Sequence, residues 1–184
     1  GLPFVVANLQ VYRNVSVTTS ASDAAGNIFV AGYFAGQASF GTTKLTSLGD
    51  PTSSNSYDTF IAKWSPATGT WLWALRDGGT LRDEISGLTV QGTAVYATGL
   101  YYSNSSMAGT TLPNGDGTGQ TSNMFLAKYI DNGTSVSNGW GVGGGGTSFD
   151  GGAGVAVAGT DVYVAGTTIG GTIAGTVLSA TMEP

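Results

Sequence analysis

Three short segments, Asn27-Ile28-Phe29-Val30-Ala31-Gly32, Ala94-Val95-Tyr96-Ala97-Thr98-Gly99 and Asp161-Val162-Tyr163-Val164-Ala165-Gly166, stand 67 residues apart both times. Self-similarity at a fixed period restricts a chain to repeat architectures before any other property is considered. Other positions keep the offset: Trp73 with Trp140, Gly78-Gly79-Thr80 with Gly145-Gly146-Thr147, Asp83 with Asp150, Gly87 with Gly154, and Val90 with Val157. Phe60-Ile61-Ala62-Lys63-Trp64 returns as Phe125-Leu126-Ala127-Lys128-Tyr129, two residues short of the period. Gly41-Thr42-Thr43-Lys44-Leu45 returns as Gly109-Thr110-Thr111-Leu112 and again as Gly175-Thr176-Val177-Leu178.

Each unit holds four strand candidates. In the second unit they are Ile85–Val90, a Gln91-Gly92-Thr93 turn, Ala94–Tyr101, Met124–Ile130 after a long polar connection, and a segment around Trp140. Large and small side chains alternate along Ala94–Tyr101, as on a half-buried strand, and no segment carries a sustained helical period. The expected fold is all-β. Four antiparallel strands per repeat of this length point to β-propeller blades, with a β-solenoid as the rival architecture. Small residues in the first strand (Gly87, Ala153, Gly154, Ala156) suit the crowded centre of a ring, and Phe29, Tyr96 and Tyr163 suit the wedge between blades.

The strand count predicts an incomplete ring of about 2.75 blades. Residues 1–17, with Phe4–Leu9, read as the last strand of a preceding blade and a linker. Blade one covers 18–84, blade two 85–151, and 152–184 form a partial third ending near Leu178. Such a chain is expected to be a fragment, or to have its ring completed by further blades or other subunits.

Composition narrows the function. Six Lys and Arg are scattered singly and the net charge is −5, whereas phosphate-binding surfaces need clustered cations. Nucleic acid and anionic membranes are therefore unexpected partners, and the apolar runs are too short to span a bilayer. Cys and His are absent, which removes disulfides, thiol nucleophiles and imidazole bases. The Gly1-Leu2-Pro3 start carries no signal peptide and reads as a mature or trimmed end. Low Lys with abundant Thr, Ser and Gly leans towards a secreted protein. Sequons at Asn14, Asn104 and Asn132 are equally compatible with glycosylation and with chance.

The segments Asp58-Thr59-Phe60-Ile61-Ala62-Lys63, Trp71-Leu72-Trp73, Gly78-Gly79-Thr80 with Asp83-Glu84, and Asp23-Ala24-Ala25-Gly26-Asn27-Ile28-Phe29-Val30-Ala31-Gly32 resemble the bacterial seven-bladed β-propeller (SBBP) repeat over nearly the whole chain. The second unit departs from that pattern at Asn123 and at Gly92-Thr93. The Gly/Thr-rich stretch Gly32–Thr43 is similar to secreted Bacteroidetes proteins, many of which carry a type IX sorting domain that this chain lacks. The resemblance implies export and surface display, without a defined activity.

Candidate sites are few. Asp83 and Asp150, with Glu84, enter the first strands and are weak Ca²⁺ ligand candidates; turn-fixing by backbone N–H bonds is the preferred reading. No other cofactor is expected. The aromatic pairs Tyr33/Phe34 and Tyr101/Tyr102 follow the second strands and are the candidate glycan-binding residues, unless one of each pair packs between blades. No catalytic residue is assigned: a Ser would lack a His base, and the recurring Lys63 and Lys128 suggest architectural pairing. Asp77, Asp83 and Glu84 do not form a persuasive glycosidase pair. The expected function is a non-enzymatic, secreted or cell-surface propeller scaffold for adhesion or protein–protein contact. The alternatives are a lectin-like glycan-binding propeller and type IX secretion cargo seen as a fragment in complex with secretion machinery.

Overall fold

The computed structural model describes residues 15–53, 55–169 and 172–173. It is all-β, and among these residues no helix occurs, so none is long and apolar enough to cross a membrane. Phe4–Leu9 and the region near Leu178 lie outside the described residues.

The first sheet is an antiparallel meander of β1 (Val15–Ser22), β2 (Ile28–Phe34), β5 (Asp58–Ser65) and β6 (Thr70–Asp77), in that order. The second repeats the order with β7 (Asp83–Gln91), β8 (Ala94–Tyr101), β11 (Asn123–Asp131) and β12 (Val136–Gly145), and adds β15 (Thr172–Ile173) beyond β12. A hairpin of β13 (Gly151–Ala158) and β14 (Asp161–Thr167) forms a separate two-stranded sheet. None of these sheets closes on itself.

Alternation along the strands decides which side chain faces which neighbour. Phe29, Ala31, Ile61 and Trp73 turn one face of the first sheet towards the second, which answers with Ile85, Val95, Ala97, Tyr101, Phe125 and Tyr129 in a single buried core. The opposite face of the first sheet, with Phe34, Phe60 and Ala62, is roofed by a small hairpin of β3 (Gln37–Phe40) and β4 (Thr43–Thr46). There Phe40 packs against Phe60 and Trp71, with both ring centroids at 5.1 Å. A matching hairpin, β9 (Ser105–Met107) and β10 (Thr110–Leu112), sends Met107, Ala108 and Leu112 into the shared core. Sequence reading had assigned both hairpins to polar connections. Their recurring Gly-Thr-Thr turns were visible, but three- and four-residue strands are too short to show a period of two.

The first strands of all three units carry a bulge at the same place, opposite the second strand: Val17/Thr19, Ile85/Gly87 and Gly152/Gly154. The bulge sets neighbouring first strands close together. The Thr18 hydroxyl donates to the Ile85 carbonyl across the sheets. A side chain at Gly87 would stand 2.8 Å from the Gly154 Cα and 3.0 Å from the Thr98 methyl. Backbone cannot yield as a side chain does, so Gly87→Ala is expected to cost about 1–3 kcal/mol, the range for overpacking. Urea unfolding would read this as a lower midpoint; an unchanged midpoint would mean that the strands do not meet there.

Candidate interaction site

The two sheets meet through a buried cluster that the repeat builds twice and closes once. In the first sheet Lys63 on β5 lies over the Phe29 ring at 5.2 Å, and Phe29 meets Trp73 edge-on at 5.7 Å. Asp131, at the end of β11 in the second sheet, closes the cluster. Its Oδ2 accepts the Lys63 Nζ at 2.6 Å, and its Oδ1 accepts Trp73 Nε1–H at 2.9 Å. Asp23 adds a second carboxylate at 3.5 Å from Lys63. Lys63 and Asp131 are buried, at 3% and 8% exposure, and Asp23 is half-buried. Burial makes the charges expensive unless paired, and here each has a partner.

The second sheet builds the same cluster and leaves it open. Lys128 on β11 lies over the Tyr96 ring at 5.6 Å, and Tyr96 stands 6.3 Å from Trp140 on β12. Among the described residues no carboxylate reaches Lys128 or the Trp140 indole. Trp140 is 38% exposed where Trp73 is 5%. Beyond it, Tyr163 on β14 is 43% exposed, although its counterparts Phe29 and Tyr96 stand at 0% and 7%. Val142, Phe149 and Ile169 are exposed as well. Among the described residues the same side-chain pattern is buried in the first sheet and exposed at its tryptophan in the second.

The predicted residues divide by the pleat. Phe34 and Tyr101 are buried, at 0% and 2%, so they cannot present a stacking face to solvent. Tyr33 and Tyr102 are half-buried; Tyr33 packs on Tyr57 at 5.2 Å and Tyr102 on Phe149 at 6.5 Å. Tyr33 and Phe34 are consecutive residues of β2 and point to opposite faces, while Tyr102 follows the last residue of β8. A cleft of about 360 Å³ lies beside Tyr101, Leu112, Pro113 and the glycine-rich part of β12. Asn123 lines it with neither amide atom hydrogen-bonded.

Asp83 and Asp150 occupy equivalent turns. Asp83 accepts Gly79 N–H on Oδ2 and the Ser105 hydroxyl on Oδ1; Asp150 accepts Gly146 N–H and Ile169 N–H. These bonds favour the turn-fixing role. Among the described residues no three Asp or Glu side chains gather as a metal site. Gly78 and Gly145, at φ 140° and 147°, let the chain pass over each carboxylate. A second buried carboxyl, Asp58, also lies beside Gly78, and its Oδ1 has no hydrogen-bond partner. Asp58 Oδ2 is held by Arg76 at 2.7 Å and by Leu48 N–H at 2.9 Å. Burial pushes the Asp83 carboxyl up to about 8, and it also raises that of Asp58 despite Arg76. In the second unit Asn123 stands where Asp58 does, facing Asp150 beside Gly145, and Gly143 stands where Arg76 does.

Other carboxylates serve the fold. Asp77 accepts Ala108 N–H and the Tyr129 hydroxyl, both at 2.7 Å, and Glu84 pairs with Arg82 at 2.7 Å. The residue that sequence reasoning missed is Asp131. Its one signal was the recurrence of Lys63 and Lys128 beside Trp73 and Trp140, which implies a shared partner without locating it.

No protein-family model matches this chain, and no curated protein sequence matches it.

Proposed function

We propose that the chain is part of an SBBP-type β-propeller scaffold, exported to the cell surface or beyond, that works without catalysis by protein–protein contact. The observation that carries this reading is the open Tyr96–Lys128–Trp140 cluster beside the exposed hairpin. Aromatic rings around a half-desolvated cation are the composition of an interface centre. The propeller reading is supported by two sheets that share one four-strand order, the second extended by β15, stacked face to face with their bulged first strands closest. The resemblance to secreted repeat proteins supports the location, and type IX export is the route it suggests. Ca²⁺ has no part in this reading.

A second reading, glycan binding, draws on the cleft lined by Pro113 and the glycine-rich part of β12. The two readings separate in one experiment. A photo-crosslinking phenylalanine analogue is placed at Trp140, or at exposed Thr68 as control, in cells that make the protein. A protein adduct from position 140 and none from 68 is the expected result. Absence of any adduct from 140, with saturable binding on a glycan array, would replace protein contact by the lectin reading.

A further inference from the structure

We infer that the edge of β14 left unpaired among the described residues and the open Lys128–Trp140 cluster together receive one extended strand from a further repeat unit, a strand that ends in a carboxylate. The inference rests on the protein-contact reading and names its partner. Two complete copies show what covers this place. β5 pairs with β2 from Ile28↔Trp64 to Phe34↔Asp58, and β11 pairs with β8 from Ala94↔Ile130 to Tyr101↔Asn123. β14 occupies the β2 and β8 position, yet among the described residues it pairs only with β13.

The charge demand follows from the same register. Asp131 comes one residue after Ile130, and that step carries it to Lys63 and Trp73 of the preceding sheet. A strand laid on β14 in the β11 register places its isoleucine opposite Asp161. Its final carboxylate then falls at Lys128 and Trp140, one unit further along. An edge strand supplies main-chain hydrogen bonds to any extended segment, while side-chain pockets and charge choose among segments. The pattern chosen is that of Asn123–Asp131: an apolar run from Met124 to Ala127, then Lys128, Tyr129 and Ile130, with Asp at the end. A second copy of this chain is a poor donor. Its two strands of the type, β5 and β11, are each already paired on both edges.

The test is a titration of the chain with a C-terminally amidated peptide copying Asn123–Asp131. The peptide is added to the Lys128→Met chain in parallel, and an Asp131→Asn version of the peptide to the unaltered chain. Expected are saturable binding, a blue shift of Trp140 emission that a Trp140→Phe chain lacks, and about tenfold or greater weakening in both charge variants, the scale of a close interfacial charge pair. Equal binding of the two peptides, no binding at millimolar concentration, or a chain already dimeric by light scattering through this edge would overturn the inference. A protein adduct at position 140 without peptide binding would sink this inference and leave the protein-contact reading standing. Peptide binding without an adduct in cells would bear out the strand and sink that reading.

Discussion

Asp131→Ala is expected to cost about 3 kcal/mol of unfolding free energy, at the low end of the range for breaking a buried ion pair from one side. The loss has two parts. The Lys63 ammonium, 3% exposed, would keep only Asp23 at 3.5 Å, and the Trp73 indole N–H would lose its sole acceptor. The remaining Asp23 contact is the reason for choosing the low end. Removing both ionic partners leaves apolar groups in an apolar place, so Lys63→Met/Asp131→Ala is expected to recover at least half of the loss. Such a double-mutant cycle isolates the coupling. Because the pair is buried, raising salt should barely alter the difference. The measurement is denaturant unfolding of the four proteins. A single-mutant loss below about 1 kcal/mol, the level of an exposed pair, would show that the cluster does not tie the two sheets together.

The second large effect is a loss of stability on going from acid to alkaline pH. The Asp83 carboxyl is pushed up to about 8 from an ordinary value of 3.8, chiefly by burial, so the native state holds its proton longer than the unfolded chain does. Its contribution is therefore fully present below about pH 4 and is lost as pH rises towards 8, by at most about 1.4 kcal/mol per unit. Asp58 and Asp77, also raised by burial, act in the same direction. Asp23, Asp50 and Asp116 have lowered carboxyls, which work the opposite way and matter only under acid conditions. Asp83→Asn should flatten the profile: its amide is neutral at every pH and can still accept the Ser105 hydroxyl or the Gly79 N–H. Thermal unfolding between pH 5 and 8 tests this. The variant should be the more stable protein at pH 8, with the advantage gone by pH 5. Parallel profiles for the two proteins would mean that Asp83 is ionised throughout.

The paired carboxyls also show how two units of one repeat diverge without changing shape. The first holds Asp58, Arg76 and Asp83; the second holds Asn123, Gly143 and Asp150 at the same places. Losing the cation and losing the carboxylate it neutralised go together. That covariation is written in the sequence, but it acquires meaning only once Gly78 and Gly145 are seen to bring the two side chains together.

The strands, their order within each unit and the inward direction of Phe29 and Tyr96 were legible in the sequence, because alternation, turn glycines and repeat spacing are local properties of the chain. The four segments of the second unit fall within observed strands, and the recurring small residues at Gly87 and Gly154 do mark a close approach of first strands. What the tertiary structure alone decided is which of two equivalent faces is covered. Trp73 and Trp140 share a sequence environment, yet one is sealed by Asp131, 58 residues away, and the other stands open. The same holds for Phe34 and Tyr101, each the member of its aromatic pair that packs inward, which the pleat turns beneath hairpins too short to announce themselves. The physical reason is that local sequence sets the direction of a side chain, whereas its burial depends on what stacks against that face.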